Sequence, residues 1–566
     1  MRKPHNLSYG VDDSPPLRVT ALSGVQHVGL MAIYLVYPAL VAKAAGSSPE
    51  MAASFVSATL VALAIGTLLQ AIKFGPVGSG FLCQPVSSVV YFVPSLIAVK
   101  HGGLGAVVVM TMISGLLEIG LARILNRLRS IFTAEIAGLV VLLVGMASGS
   151  VGLRTALGTP GQPGFATPLD AALALLTLGI MVGLNVWGRG WLRIFCVLLG
   201  MTAGCLAAWA FGRLRVAEAT LAVPVFAVPG IAHHEWLFDS TLLLPFAVAA
   251  LAASLKVMGN VTTCQKVNDA NWARADMKSI SEGMVGDGLA AVLAGALGGH
   301  GVNSSTANVG LASATGITSR KIAYAIAAML FVLAFVPRLG LLFYLMPQAV
   351  AGATLVFSST YIIVNGLEII TSRLLDTRKT LLIGFALIFG IAVEVSPALL
   401  DPLPAGARFS LNSSLVLGTL VALALNVLFR LGVRQTAILT VQPGAVDSKA
   451  LRDFMESQGG LWGARRDVIE RASFNLAQSI ETIASSGVAR GPMMVAATFD
   501  EYNLNLRVSY DGAPLELPQT RPAPEEILAS EVGERRLAGY MLRQFADRVA
   551  VTHRDSRSTV LFHFDH

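Results

Sequence analysis

The chain has 566 residues, of which 54% are hydrophobic and only 13% are charged. Soluble domains carry about 25% charged residues, so this composition excludes an ordinary soluble protein and favours a chain that lies largely in lipid. The formal net charge of +7 does not indicate nucleic-acid binding, because the basic residues are spread over many short segments and form no single stripe.

Apolar runs of about 20 residues, long enough to cross roughly 30 Å of hydrocarbon, recur between residues 22 and 434. We predict about fourteen membrane spans in this transmembrane domain. Their starts lie near residues 22, 52, 81, 105, 131, 169, 191, 241, 281, 303, 321, 341, 379 and 411. Residues 1–21 are polar and contain Pro15 and Pro16, which predicts a cytoplasmic N-terminal segment and no cleavable signal peptide.

The distribution of basic residues predicts the orientation of the chain. Alternate loops carry clusters, namely Arg2/Lys3/Arg18, Arg123/Arg127/Arg129, Arg189/Arg193, Lys266/Arg274/Lys278, Arg320/Lys321, Arg373/Arg378/Lys379 and Arg430/Arg434. The opposite loops hold single basic residues or pairs, such as Lys43 and Lys100. This asymmetry predicts a multi-pass inner-membrane protein with both termini in the cytoplasm.

Two of the predicted spans are poor helices. The third reads GSGFLCQPVSSVVYFVPSL and the tenth reads GGHGVNSSTANVGLASATGITSR. Irregular backbone at membrane depth persists only where protein or water satisfies its polar groups. Interrupted spans at corresponding places in two halves indicate a binding site built on an inverted repeat, here seven spans plus seven. The alternative is that the glycines serve only as helix-packing contacts.

The composition changes after residue 434. Residues 445–566 are richer in acidic residues and contain the alternating segments MMVAATF and NLNLRVSY, the turn pair Asp511-Gly512 and a final strand STVLFHFDH. The segments MMVAATF and NLNLRVSY are predicted to form a hairpin, and a helix from about Asp467 to Ser485 is predicted before it. The pattern is typical of a soluble α/β or α+β domain, which the predicted orientation places in the cytoplasm.

Several segments carry a family resemblance. The first span contains Gln26-His27, and the tenth contains Asn308-Val309-Gly310 followed by Thr315 and Ser319-Arg320. These residues resemble the Gln-His motif and the signature Asn-x-Gly-x4-Thr-x3-Ser-Arg of the nucleobase-ascorbate family, which includes xanthine and uracil permeases. The segments GDGLAAVLAGALGG and MPQAVAGATLVFSSTYIIVNGLEII are also similar to family segments. The resemblance covers about residues 18–434.

This resemblance implies a fold and a site. It implies fourteen segments divided into a core domain and a gate domain, with short strands in segments three and ten. Each strand would lead into a half-helix whose N-terminal N–H groups point at the substrate. The substrate-binding residues that it implies are His27, Ser88, Val89, Lys256, Asn260, Thr306, Ala307 and Asn308.

The chain departs from the family at two of these positions. Ala307 stands where the family usually has Gln or Glu, and Lys256 stands where the eighth span usually has Glu. A hydrogen-bond acceptor is thus replaced by a cation that offers only donors. Lys256 is either a site residue that favours a negatively charged or oxo-rich substrate, or a lysine near the cytoplasmic end of its span that snorkels to the surface.

Three further polar residues at membrane depth have two interpretations each. His27 is either a pocket or relay residue or a structural histidine. Glu118 and Asp287 are either relay groups for a coupling ion, a proton or sodium, or carboxyls held by hydrogen bonds between helices. The sequence indicates no cofactor and no metal site, since the four cysteines lie in or beside apolar segments at no metal-like spacing.

The sequence therefore predicts a secondary active transporter and not an enzyme. Its expected substrate is nucleobase-like, of the xanthine, urate or uracil class, and the expected mechanism is an elevator-like movement of core against gate. Expected partners are this substrate, membrane lipid and a second copy of the chain in a homodimer. The alternatives are a carrier of small inorganic or carboxylate anions with the sulfate-permease fold, and a transporter-like sensor that signals through the C-terminal domain.

The C-terminal domain is itself similar to the small ATP-binding domains of anti-sigma-factor and histidine kinases. Gln478 and Thr482 stand where those domains have an acidic and an Asn residue for magnesium. The resemblance therefore implies a degenerate ATPase-like fold, used for regulation or for dimer contacts.

Overall fold

The structure is a computed structural model of the chain. It describes residues 2–128, 133–159, 165–214, 223–229, 235–272, 275–371, 375, 377–429, 435–442, 447–462, 464, 466–485, 487–500, 503–523, 531–554 and 556–565. Of the residues used to predict orientation, Arg129, Arg274, Arg373, Arg430 and Arg434 lie outside this set. The chain divides into two compact units, Met1–Leu425 and Asn426–His566.

Helices make up most of the described part of the first unit, and the last of them continues four residues past Leu425. They are α1 (Leu17–Ala32), α2 (Val36–Ala44), α3 (Pro49–Ala71), α4 (Val89–Leu128), α5 (Ala134–Leu157), α6 (Pro168–Val186), α7 (Trp191–Ile194), α8 (Cys196–Ala210), α9 (Leu243–Asn268), α10 (Met277–Ala296), α11 (Thr306–Thr315), α12 (Ile322–Ala334), α13 (Pro337–Leu345), α14 (Gln348–Thr371), α15 (Thr377–Val395), α16 (Ala405–Leu411) and α17 (Ser414–Phe429). The first helix begins five residues before its predicted start at residue 22.

Within the described residues, seven helical stretches are long and apolar enough to cross a membrane. Helices α12 and α13 form one further candidate, bent by 76° at the break between them. Two shorter apolar helices, α8 and α17, lie below that length. These findings confirm a polytopic helical membrane protein, while the count of about fourteen spans stays a prediction.

Helix α4 joins the third and fourth predicted spans. Its 40 residues are interrupted by non-helical backbone at Gly102 and Gly103, just before the predicted start of the fourth span at residue 105. Gly103 has φ of 59°, a left-handed conformation that glycine adopts without the steric cost paid by other residues. The two predicted spans are therefore two segments around a glycine kink.

A short β-ribbon lies inside the helical unit. Strand β1 (Pro85–Ser87) pairs antiparallel with β2 (Val302–Ser304), so that Pro85 lies opposite Ser304 and Ser87 opposite Val302. Both strands are fully buried, and their pairing satisfies backbone groups that lipid could not. The ribbon confirms the short strands predicted in spans three and ten. Helix α4 starts two residues beyond one end of the ribbon, and α11 starts two residues beyond the opposite end.

Glycines bring two pairs of helices into backbone contact. A Cβ added at Gly138 of α5 would lie 2.7 Å from the carbonyl oxygen of Gly366 on α14, and one at Gly115 of α4 would lie 2.5 Å from that of Gly288 on α10. Small residues at such crossings let membrane helices approach closely. The second crossing matters for the site, because Glu118 and Asp287 lie beside it.

The N-terminal segment folds back onto the turn that follows α11. The N–H of Thr318 donates to the carbonyl oxygen of Tyr9 at 2.8 Å. Arg320 Nη2 lies 2.7 Å from Asp12 Oδ1, and Ser319 Oγ donates to the carbonyl oxygen of Asp13 at 2.7 Å. The Ser-Arg pair at the end of the signature thus holds the N-terminal segment.

The second unit contains a five-stranded antiparallel sheet in the order β3-β4-β5-β7-β6. Its elements are β3 (Gln435–Val441), α18 (Ser448–Trp462), α19 (Arg466–Ser485), β4 (Met493–Phe499), β5 (Asn503–Asp511), α20 (Glu531–Phe545), β6 (Arg548–Arg554) and β7 (Arg557–Asp565). The predicted helix, hairpin and last strand are confirmed. Strand β3 precedes the predicted domain start at residue 445, and neither β3 nor β6 was predicted.

Candidate functional site

The starts of α4 and α11 are each capped by a serine. Ser305 Oγ accepts a hydrogen bond from the N–H of Asn308 at 3.2 Å, and Ser88 Oγ accepts one from the N–H of Val90 at 3.2 Å. A serine at this place satisfies a backbone donor that has no partner within the helix. The hydroxyl of Ser88, one of the predicted site residues, is therefore engaged in its own helix.

The first residues of the two helices differ in accessibility. Val89 and Asn308 are buried, Thr306 is half-buried and Ala307 is exposed. Because the first N–H groups of a helix have no intrahelical acceptor, the accessible start of α11 can present backbone donors to a ligand. The structure thus places the predicted residues of both spans around one ribbon.

His27 lies in a buried polar cluster that joins three segments. Its Nδ1 atom is 2.9 Å from Asn308 Oδ1 and 2.6 Å from Gln84 Nε2. A ring nitrogen carries either a proton or a lone pair, so it cannot donate to the first atom and accept from the second together. With the Gln84 amide turned over, Nδ1–H would face two acceptor oxygens. His27 is therefore fixed against the start of α11.

Asn260 connects α9 to the junction between β2 and α11. Its Nδ2 donates to Ser304 Oγ at 2.8 Å, and its Oδ1 accepts from Thr306 Oγ1 at 2.9 Å. The buried amide thereby uses both of its polar atoms. Asn260 is thus a residue that orients the start of α11.

Lys256 lies near the middle of α9, which has 26 residues. The expectation that it lies near the cytoplasmic end of its span is wrong, since about 18 Å of helix at 1.5 Å per residue separates it from the end at Asn268. Its side chain is half-buried. Toward the residues that the structure describes it makes no hydrogen bond or ion pair within 4.0 Å, and the carboxyl charges that act on it are those of Asp287 and Glu118.

The two carboxyls lie on the two helices that cross at Gly115 and Gly288, Glu118 on α4 and Asp287 on α10. Glu118 and Asp287 are both fully buried. Asp287 Oδ2 accepts from Asn303 Nδ2 at 2.6 Å, whereas neither oxygen of Glu118 has a hydrogen-bond partner among the described residues. Since a buried charge is costly unless it is paired, and Lys256 can balance only one carboxylate, the three groups form one electrostatic unit.

The sequence analysis missed two residues of this region, Gln84 and His300. His300 is fully buried, and its Nδ1 lies 3.0 Å from Ser87 Oγ. Each lies immediately before or close to a strand of the ribbon. A usable signal was present, because polar side chains inside an irregular span must find partners at membrane depth.

In the second unit, Gln478 and Thr482 stand where the kinase-like ATP-binding domains hold magnesium, but here they do not form a magnesium site. Thr482 Oγ1 donates to the carbonyl oxygen of Gln478 at 2.7 Å within α19. Within the described part of the chain, no three His, Cys, Asp or Glu side chains are placed to hold a metal ion. The ATPase-like resemblance stays a prediction.

Comparison with known proteins decides the family. A family model described as "Permease family" matches residues 18–399. The chain belongs to this permease family. It is 27% identical over 438 residues to the xanthine permease XanP of Escherichia coli strain K12, covering 75% of this chain and 94% of that protein. It is also 28% identical over 462 residues to the xanthine permease XanQ of the same strain, and the match covers 79% of this chain and 98% of that protein.

A uric acid permease of Bacillus subtilis strain 168, PucJ, is 25% identical over 428 residues, covering 74% of this chain and 94% of that protein. Two solved structures are similar at low identity. The transmembrane domain of a cyanobacterial bicarbonate transporter, BicA, has a TM-score of 0.46 at 16% identity and covers 74% of this chain and 100% of that one. Murine Slc26a9, an anion transporter, has a TM-score of 0.48 at 14% identity and covers 76% of this chain and 71% of that one.

Proposed function

We propose that this permease is a secondary active transporter, not an enzyme, and carries a nucleobase-like substrate of the xanthine, urate or uracil class. Relatives named as xanthine and uric acid permeases, which the chain matches over most of their length, support this substrate class. The movement would be elevator-like, with the ribbon and its two helices in the moving core. The protein would act as a homodimer in the inner membrane with both termini in the cytoplasm.

The substrate would bind beside the ribbon. Backbone N–H groups at Val89, Thr306 and Ala307 would donate to its carbonyl oxygens, since both helix starts carry partial positive charge. Ser88 would set the start of α4, and Asn260 and His27 would hold the start of α11 in place. The single observation that carries the proposal is this pair of capped helix starts around one buried ribbon.

Lys256 would set the charge preference of the pocket. It is half-buried, while the two carboxyls that act on it are fully buried. An anionic or oxo-rich ligand would therefore reach the ammonium from the open side and compete with Asp287 and Glu118 for it. An accessible ammonium would also suit a second candidate, a carrier of small inorganic or carboxylate anions.

The charge balance of this unit suggests how transport would be coupled. When a ligand anion pairs with Lys256, a carboxylate behind it loses its counter-charge, and an unpaired buried carboxylate is costly. Binding of a proton or a sodium ion at Glu118 or Asp287 would restore neutrality. Glu118 is the stronger candidate because both of its oxygens lack a hydrogen-bond donor among the described residues.

Uptake of labelled xanthine, urate and uracil into proteoliposomes tests the proposal. We expect saturable uptake of at least one of them, driven by a pH or sodium gradient and competed by the unlabelled base. Uptake of sulfate or bicarbonate without nucleobase uptake would support the anion carrier instead. Ligand binding without any uptake would support the sensor.

A further inference from the structure

A cavity of about 320 Å³ lies where α3 ends and α12 begins. It is lined by Ala71, Ile72, Lys73, Arg320, Lys321 and Tyr324. None of the residues proposed to contact the transported substrate lines it. Because three of the six lining residues, Lys73, Arg320 and Lys321, are cations, we call this cavity the basic pocket.

The cations of the basic pocket exceed the carboxylates around them. Lys73, with 52% of its side chain exposed, lies 4.0 Å from Glu282 Oε2, and the other oxygen of Glu282 lies 3.9 Å from Lys278. One carboxylate is thus shared between two lysines at long range. Exposed pairs at such distances are worth little, so Lys73 is available to a further anion.

The other two cations are tied to the N-terminal segment. Arg320 pairs with Asp12 at 2.7 Å, while Lys321 donates to the hydroxyl of Ser14, a neutral partner. The remaining carboxylate nearby, Asp13, pairs with Lys3 at 2.6 Å. The basic pocket therefore keeps a positive surplus after every described ion pair is counted.

The mouth of the pocket continues into an exposed apolar stripe on α12. Tyr324, Ala328, Phe331 and Val332 are all exposed, and their spacing places them on one helix face. A tyrosine beside lysines at the end of membrane helices is typical of the lipid–water interface. Charge and stripe together match a molecule with an anionic head and an apolar tail.

We propose that the basic pocket binds the phosphate of an anionic phospholipid, with an acyl chain along the α12 stripe. Lys73, Arg320 and Lys321 would contact the phosphate, and the tyrosine ring would lie at the headgroup level. Basic pockets between membrane helices commonly bind anionic headgroups. The site is separate from the transport pocket, so this inference does not depend on the identity of the substrate.

Titration of fluorescent phosphatidylglycerol into the purified full-length protein tests this site, with phosphatidylcholine as the neutral lipid. Each cation near the lipid contributes roughly fivefold in affinity. The double variant Lys73→Gln/Lys321→Gln should therefore bind phosphatidylglycerol roughly thirtyfold more weakly than the natural chain. The single variant Lys73→Gln, expected to lose about fivefold, covers the case that the double variant does not fold.

Lys100→Gln is the matched control, because it removes one exposed lysine that does not line the basic pocket and lies just before the glycine kink of α4. Its affinity for phosphatidylglycerol should not change. Equal affinity in Lys73→Gln and the natural chain would overturn the site. Competition by glycerol 3-phosphate as strong as that by the intact lipid would overturn the lipid assignment and leave a free phosphate as the ligand.

Discussion

Asn303 Nδ2 lies 2.6 Å from Asp287 Oδ2 and 3.3 Å from the carbonyl oxygen of Ala253. This one side chain of β2 therefore links the ribbon to α10 and to α9, and Ala253 lies one turn before Lys256. A displacement of the ribbon would therefore shift Asp287 and Lys256 together. The network couples the position of the ribbon to both charged groups.

Lys256→Gln should weaken binding of an anionic ligand such as urate by about tenfold or more. A cation at contact distance is worth about 4 kcal/mol at an effective dielectric near 20, and about 1.4 kcal/mol corresponds to tenfold in affinity. Lys256→Glu should weaken it further because it adds repulsion. Ligand affinity is to be measured on samples shown to be equally folded, with Lys266→Gln, an exposed lysine near the end of the same helix, as control. Unchanged affinity in Lys256→Gln would remove Lys256 from the site.

Asn308→Ala should destabilise the protein by about 1–3 kcal/mol, because it leaves the buried His27 without its amide oxygen partner. Thermal unfolding in detergent measures the effect. Thr263→Ala is the matched control, since the exposed Thr263 donates to the carbonyl oxygen of Gly259 in its own helix. If both variants unfold at the same temperature as the natural chain, the contact contributes no stability.

The sequence allowed the ribbon to be predicted, because Gly, Pro, Ser and Asn in spans three and ten exclude a continuous helix there. It did not allow the partners of each side chain to be predicted. His27, Gln84 and Asn308 are distant in the chain and meet only through the packing of α1, β1 and α11. The position of Lys256 within its helix was also predicted wrongly. Apolar periodicity does not predict where a helix ends when polar residues such as Asn260 and Gln265 continue it.

Acid should loosen the N-terminal segment, because the Asp13 carboxylate accepts hydrogen bonds from Lys3 and from the N–H of Gly10 within that segment. The hydrogen bond from Lys3 and then the one from the N–H of Gly10 lower the pKa of Asp13 below its ordinary value of 3.8. A carboxyl whose pKa is lowered by folding stabilises the folded form fully above its ordinary pKa, and that stabilisation is lost as the pH falls through the lowered value. Protease cleavage within residues 2–14 should therefore rise as the pH is lowered below about 4.

Asp13→Asn provides the control for this acid effect. The variant should be cleaved faster than the natural chain at neutral pH and should show a flatter dependence on pH. A pH profile identical to that of the natural chain would assign the acid sensitivity to other groups. Asp269 is one such group, because the N–H of Arg2 lowers its pKa in the same way.

Removal of the second unit should leave ligand binding largely intact, because the first unit contains every proposed substrate residue. The point of truncation should matter. A chain that ends at residue 444 keeps β3 without its partner β4, and an unpaired strand edge promotes aggregation. A chain that ends at residue 429 has no such strand. Size-exclusion chromatography should show more aggregate for the first, and loss of ligand affinity by a monodisperse second chain would place part of the site in the removed domain.

Gly115→Ala should destabilise the protein by about 1–3 kcal/mol and weaken ligand binding. A Cβ at this position would lie 2.5 Å from the carbonyl oxygen of Gly288 and 2.9 Å from the N–H nitrogen of Val292, and backbone atoms cannot move aside as a flexible side chain can. Overpacking of this kind forces the helices apart. Because Glu118 lies one turn from Gly115 on α4 and Asp287 lies next to Gly288, the same shift changes the separation of the two carboxyls.

Gly120→Ala is the matched control on the same helix, since a Cβ there would meet no atom within 4 Å. Its effect should stay within about 0.5 kcal/mol. Gly288→Ala approaches the same crossing from the other side, where the added Cβ would lie 2.7 Å from the carbonyl oxygen of Gly115, so it should reproduce the loss. Unfolding temperature and ligand affinity are measured on all three variants. If Gly115→Ala and Gly288→Ala lost stability but kept full affinity, the spacing of Glu118 and Asp287 would not control binding, and their role would be confined to holding α4 against α10.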